Sequence, residues 1–423
     1  MHDVCYGQNV KGAGKRSMRG RVTRSRPRGY IRHMIRDHRF DTDSAVRLLQ
    51  KLIRIDTTNP PGNEAEAAGL LAAELSRFGL DPEITDLGAG RANVSAVVKG
   101  EGVCPAVVYN GHLDVVPVGN VRWSHPPFGA EIHRGRLYGR GASDMKSGLA
   151  AMLTAAGLLA RSGVRLGGDL IFSAVADEEI GGLGADRFLA EGGMRNTRAV
   201  IIGEPTGFRA YIAEKGVYWI TLETVGKTAH GAMPHLGRNA ILDMQTLLAE
   251  LQDTPLPNAP NPDHGGTTMN VGSIRGGVSA NVVPDSCTAS VDVRIPPGVS
   301  VDAVLQGFRE AAERAEAARP GMTVRIDTKA ARAPVATPHD AAVVQTVLQL
   351  CAELFGSSPR AGPTPGYATD ASILCREPEV PFVIIGPGRE RQAHQPDEYV
   401  LVEDYLRAVD FYRRLAERLL PRG

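Results

Sequence analysis

Three short, apolar, β-branched runs at residues 105–109, 170–175 and 199–202 each lead straight into a polar cluster. Compact runs of this kind, bounded by turn residues, are what strands of a sheet covered on both faces require. In open α/β sheets the ligand site lies outside the carboxyl ends of the strands. The first run leads to His112 and Asp114, the second to Asp177, Glu178 and Glu179, and the third to Gly203-Glu204-Pro205-Thr206. Between the first two lies Gly-Arg-Gly-Ala-Ser-Asp-Met-Lys, residues 139–146, which sets Asp144 at the head of a helix. Imidazole with several carboxylates at neighbouring strand ends is a donor set for a pair of divalent ions, because borderline nitrogen and hard oxygen ligands suit zinc, cobalt or manganese. The pattern therefore predicts an α/β chain carrying a two-metal hydrolytic site.

Composition narrows the class further. At 423 residues and 43% hydrophobic content the chain is long enough for a large core and more than one domain. No apolar stretch approaches the ~20 residues needed to cross a bilayer, and the N-terminus lacks the apolar segment of a secretory signal. Five scattered cysteines without a C-x-x-C pair indicate neither a disulfide framework nor a thiolate metal site, and fit a reducing cytoplasm. Residues 1–39 hold 11 Lys/Arg against Asp3 and Asp37, whereas residues 40–423 carry 37 Lys/Arg against 45 Asp/Glu. The Gly- and Arg-rich arm reads as a disordered extension. It is either a tether for nucleic acid or a membrane surface, or a solvated extension, or upstream of a true start at Met34. With Tyr30 the one interleaved aromatic between Lys11 and Arg39 and an acidic body behind it, nucleic-acid and membrane partners are not expected.

The element order gives the architecture. Helical apolar spacing at 45–55 and 64–78 is separated by a Thr-Thr-Asn-Pro-Pro-Gly loop, which Pro60, Pro61 and Gly62 keep non-helical. After Lys215 the pattern changes to a strand at 216–225, a helix at 239–251, strands at 268–274 and 286–295, a helix at 301–317 and a strand at 322–327. This β-α-β-β-α-β order is that of a ferredoxin-like unit. Helix and strand runs then resume at 339–355 and 380–386, and a closing helix spans 402–420, so the unit reads as an insertion. The expected division is a catalytic metal-binding domain of residues 40–214 and 332–423, built on a central mixed sheet flanked by helices, and an inserted lid or dimerisation domain of residues 215–331.

The residues that carry these features resemble the dinuclear zinc metallopeptidase family that contains acetylornithine deacetylase, succinyl-diaminopimelate desuccinylase, aminoacylase and glutamate carboxypeptidases. The resemblance runs from about Asp43 to the C-terminus. It rests on an ordered set: Gly-His-Leu-Asp-Val-Val-Pro, Gly-Arg-Gly-Ala-Ser-Asp-Met-Lys, Asp-Glu-Glu-Ile-Gly-Gly, Gly-Glu-Pro-Thr, Ala-His-Gly-Ala-Met-Pro-His and Ala-His-Gln-Pro-Asp-Glu. It implies His112 and Glu204 on one ion, Glu179 and His394 on the other, and Asp144 bridging two ions ~3.5–4 Å apart, zinc first and cobalt as the alternative. Asp114 is expected to accept the other ring N–H of His112 and fix its tautomer. The resemblance makes Glu178 the general base, and Glu178 and Glu179 are expected to point to opposite sides of an extended segment. Asp177 is either a supporting partner or a solvated charge. Met145 resembles a position that follows a cis peptide bond.

Further roles follow from the same resemblance. His230, in Ala-His-Gly, would reach the active site of a partner subunit in a homodimer and stabilise the oxyanion. His235 is left structural. Asn281 and Arg294 match positions on the carboxylate side of the substrate, which an arginine fork suits. Thr369 belongs to the segment lining the pocket, while Asp370 either lines it or caps the following helix. Glutamate at 204 in Gly-Glu-Pro-Thr leans toward the deacetylases and desuccinylases. The expected reaction is hydrolysis of a small N-acyl amino acid, with a dipeptidase or carboxypeptidase as alternative, and a non-catalytic binding protein on the same fold as the alternative of another class.

Overall fold

The structure is a computed structural model and describes residues 41–261, 264–356, 359–376 and 379–422. The basic arm, Met34 and Cys5 lie outside the described residues. Residues 41–423 form one compact unit. Its strands, in chain order, are β1 (Glu83–Gly88), β2 (Arg91–Val98), β3 (Ala106–His112), β4 (Ile132–His133), β5 (Arg136–Tyr138), β6 (Leu170–Val175), β7 (Thr197–Ile202), β8 (Tyr211–Glu214), β9 (Gly216–Val225), β10 (Thr268–Gly276), β11 (Ser286–Ile295), β12 (Thr323–Arg332), β13 (Val335–Ala336), β14 (Gly362–Pro363), β15 (Phe382–Ile384) and β16 (Tyr399–Leu401). The helices are α1 (Thr42–Arg54), α2 (Glu64–Arg77), α3 (Lys146–Ser162), α4 (Leu183–Ala190), α5 (Ala240–Gln252), α6 (Val301–Ala318), α7 (Ala342–Phe355), α8 (Ala371–Leu374) and α9 (Val402–Leu419).

The main sheet runs β1-β2-β6-β3-β7-β15-β8-β13, with β14 beside β8. β6, β3, β7 and β15 are mutually parallel, and antiparallel β1 and β2 extend the sheet on one side. Every residue of β3 is buried, as a central strand covered by helices demands. Register pairs His112 with Val175 and Asn110 with Ile202, so β3, β6 and β7 end at one edge and deliver their polar clusters together. α3 is buried on almost every side and packs against β3, α1 and α9. At Gly148 a Cβ would come within 1.9 Å of the Gly203 carbonyl, so α3 presses directly on the end of β7 that carries Glu204.

The second sheet is ordered β10-β11-β9-β12, antiparallel throughout. α5 and α6 cover one of its faces, with Met244, Leu247, Leu251, Val304 and Phe308 in a core of their own. A third small sheet, β16-β5-β4, brings the segment after His394 back against the segment before Asp144. Among the described residues no helix is long and apolar enough to cross a membrane.

Candidate active site

The site begins where β3 ends. His112 is almost fully buried, and its Nδ1 lies 2.9 Å from the Asp114 backbone carbonyl. A carbonyl only accepts, so Nδ1 carries a hydrogen and Nε2 is the nitrogen that faces the site. Nε2 faces Asp144 Oδ1 at 3.3 Å and Glu204 Oε1 at 3.7 Å. Asp144, at the turn that opens α3, turns its other oxygen to His394, whose Nε2 lies 3.3 Å from Asp144 Oδ2 and 3.3 Å from Glu179 Oε2. His112, Asp144 and Glu204 thus form one donor cluster and Asp144, Glu179 and His394 a second, with donor atoms within 4.8 Å of one another in each. Asp144 is common to both. The peptide bond between Asp144 and Met145 is cis.

The electrostatics of the site call for cations. Burial opposes ionisation of Asp144, yet hydrogen bonds from His112 and His394 hold its carboxyl well below the usual range. Burial pushes Glu179 up to about 7 and raises Glu204 well above an ordinary carboxylate. His112 is raised despite its burial by the bond to Asp144 and the charges of Glu204 and Glu178. Hydrogen bonds to Asp144 and Glu179 lift His394 to about 10. Carboxylates crowded at low exposure destabilise one another unless positive charge lies among them. Glu179 Oε1 is buried without a hydrogen-bond partner. The donor set and this deficit of positive charge fit divalent metal ions.

Glu178 stands outside both donor clusters, buried beside them. Its Oε1 lies 3.3 Å from Arg332 Nη1, and Arg332 Nη2 donates to its backbone carbonyl. The segment after β6 is a turn rather than the expected extended chain, because Asp177 takes φ 70°. The two glutamates diverge by turn geometry, not by strand alternation. Asp114 also departs from expectation. Its carboxylate lies 3.6 Å from His112 Nδ1, and the backbone carbonyl makes the bond assigned to it. The carboxylate instead accepts from the Glu178 and Glu179 backbone N–H groups at 3.0 and 3.1 Å and from Asn59 Nδ2 at 2.8 Å. It therefore docks the Glu178–Glu179 turn onto β3. Asp177 is a buried partner and no solvated charge, accepting from Asn59 Nδ2 at 2.9 Å and paired with Arg91.

The remaining predicted residues form other groups. His230 and Asn281 are neighbours: Gly231 N–H donates to the Asn281 carbonyl at 2.8 Å and His230 bridges Val282. Both are exposed, and among the described residues no hydrogen bond or ion pair joins them to the carboxylates. His235 sits exposed in a short helical turn. Arg294 is held by Asp292 through two bonds of 2.7 and 2.9 Å. Thr369 is buried, and both its N–H and its hydroxyl donate to Glu214 Oε2 at 2.9 Å. Asp370 gives α8 no side-chain cap and lies 3.7 Å from Arg332.

Sequence reasoning passed over Arg332, Asn59, Arg91, Arg140 and Glu398. Arg140, Glu398 and Asn59 lie inside motifs quoted for other residues, so a question about what supports each ligand would have reached them. Arg332 ends an unremarkable strand, and no local pattern marks it.

Residues 108–418 match the family described as Peptidase family M20/M25/M40. A probable succinyl-diaminopimelate desuccinylase of Staphylococcus epidermidis is 29% identical over 404 residues, spanning 89% of this chain and 98% of that protein. An acetylornithine deacetylase of Vibrio vulnificus is 32% identical over 356 residues, spanning 82% and 90%. The crystal structure of an aminopeptidase from Bacillus cereus aligns with TM-score 0.75 at 21% identity, covering 90% of this chain and 100% of that one. A dinuclear metal-binding peptidase of the M20 family from Bacillus subtilis aligns with TM-score 0.70 at 18% identity, covering 90% and 98%.

Proposed function

The chain belongs to peptidase family M20/M25/M40, a metallohydrolase acting on amide bonds, and from that premise we propose that it cleaves small N-acyl amino acids to a carboxylate and a free amine. The observation that carries this reading is the placement of Asp144, one carboxylate oxygen toward His112 and the other toward His394. His112 and Glu204 would hold one divalent ion, Glu179 and His394 a second, and Asp144 both, with zinc or cobalt suited to the donors. Bound ions supply the positive charge that brings water near ionisation at neutral pH and polarises the amide carbonyl. Glu178 takes a proton from the attacking water and returns it to the leaving amine. Arg332 keeps the Glu178 carboxylate in place and away from the ligand set.

On this reading residues 215–331 act as a lid and as the contact between two copies of the chain. His230 from the second copy steadies the oxyanion. Asn281, Arg294 and Thr369 meet the substrate, Arg294 by sharing its fork with Asp292 and Thr369 by giving up part of its bond to Glu214. The described cysteines, Cys104, Cys287, Cys351 and Cys375, are free, which accords with a reducing cytoplasm. The relatives named as a desuccinylase and a deacetylase favour an acyl group over a second amino acid. Amine release should be followed on N-acetyl and N-succinyl amino acids and on dipeptides, after metal removal and after zinc or cobalt is restored. Metal-dependent hydrolysis of an N-acyl amino acid is expected. Cleavage of dipeptides alone would replace this reading with a peptidase.

A further inference from the structure

Behind the carboxylate cluster lies a fully buried ion pair that takes no part in it. Glu398 and Arg140 are 0% and 2% exposed, and Arg140 Nη1 donates to Glu398 Oε2 at 2.7 Å. The same carboxylate collects three backbone amides of the turn leading to α3. Gly141 N–H reaches Oε2 at 3.2 Å, while Ser143 and Asp144 N–H reach Oε1 at 2.8 and 3.0 Å. Arg140 in turn donates to the Gln395 carbonyl at 3.3 Å and the Pro117 carbonyl at 3.2 Å, so it grips the segment just after His394 and the segment after Asp114. Ser143 adds a stitch on the other side, its hydroxyl accepting from Arg389 N–H at 2.8 Å. A buried carboxylate is costly unless its lone pairs are filled, and here one acid is filled almost wholly by the backbone of the Asp144 turn. Because the amides of that turn point at Glu398, the Asp144 side chain leaves on the opposite side, toward His112 and His394.

We infer that Glu398, clamped by Arg140, is a positioning residue for the metal centre: it locks the Asp144 turn to the His394 loop and so sets the affinity of the site for divalent ions without ligating one. The inference rests on the two-cluster reading of the site. A hydrophobic pair in place of Glu398 and Arg140 would leave three amides of the Asp144 turn without an acceptor. Residues that orient a ligand in this way typically change metal affinity by about 10–100-fold when altered.

The test is a titration of metal-stripped full-length protein with Co2+, read by visible absorption and by chelator competition, alongside thermal unfolding. Glu398→Gln keeps the volume but removes the charge and half of the acceptors. It should bind cobalt about 10–100-fold more weakly than wild type and with an altered absorption envelope. Arg140→Met, which leaves Glu398 and its amides in place, should shift affinity in the same direction and serves if Glu398→Gln does not fold. Tyr405→Phe, which loses a buried bond to the Ala45 carbonyl between α9 and α1, should lower the melting temperature with cobalt binding unchanged. Wild-type affinity and spectrum in folded Glu398→Gln or, failing that, in Arg140→Met would overturn the inference. Absence of cobalt binding in the wild type would instead overturn the metal reading beneath it, and the inference with it.

Discussion

Among single residues Asp144 joins the two halves of the site, one carboxylate oxygen toward His112 and the other toward His394. His112, Asp144, Glu179, Glu204 and His394 each sit in a short polar run that follows an apolar one, and the structure gathers them into two clusters sharing Asp144. Hydrogen bonding between those runs leaves no periodic trace, so the exchange of Asp114 from His112 to the Glu178–Glu179 turn could not be read beforehand. The shifted groups make a prediction. His394, near 6.5 when unfolded and about 10 when folded, contributes stability that is present below pH 6.5 and lost as pH rises through about 10. Glu179, ordinarily near 4.5 and raised by burial to about 7, acts in the same direction, since the folded state again holds the extra proton, and its contribution is lost between pH 4.5 and 7. Metal ions replace those protons, so the stabilisation of the protein by zinc should grow with pH between about 5.5 and 9. Melting temperatures of metal-free and loaded protein across that range check it, and a constant gap would count against these donors.

At the scale of elements most strands and helices with a buried face lie where the hydrophobic periods put them, although β12 runs on to Arg332 and β15 spans only Phe382–Ile384 of the expected 380–386. β6, β9 and β11 have the ends expected of them. The hairpin of β1 and β2, exposed on its outer strand, and the two- and three-residue strands of the small sheet carry too few apolar residues for a period to show. The turn after β6 was misjudged because a non-glycine residue at φ 70° is a minority conformation that composition does not announce. One contact between elements gives a direct test. Gly148→Ala places a methyl group against the Gly203 carbonyl, a backbone atom that cannot rotate away. α3 must then shift from the end of β7, at a cost of about 1–3 kcal/mol. Urea unfolding should report that loss, and because Glu204 follows Gly203 directly, metal affinity should fall as well. Wild-type stability would show that α3 and β7 are less closely fitted than described.

At the scale of the whole molecule the two larger sheets were readable from element order, whereas element order carries no information on pairing between copies, because an apolar patch suited to it looks like any other. β10 is an edge strand with Val271 and Ile274 exposed, and Ile241 and Leu242 of α5 are exposed as well. Met244, Leu247 and Leu251 of the same helix are used in its own core, so Ile241 and Leu242 form the surplus. An unpaired edge beside apolar side chains suits pairing about a two-fold axis. If His230 works across that contact, mixing inactive Glu178→Gln chains with inactive His230→Ala chains should restore activity through mixed dimers. No recovery after demonstrated subunit exchange would contradict it. If a two-ion donor set and a separate base, Glu178, together hydrolyse an amide, Glu178→Gln separates the two, read by metal content per chain and by kcat on an N-acyl amino acid. About two ions should be retained with kcat lower by roughly 10²–10⁴-fold; loss of metal, or turnover near that of the wild type, would refute this division of roles.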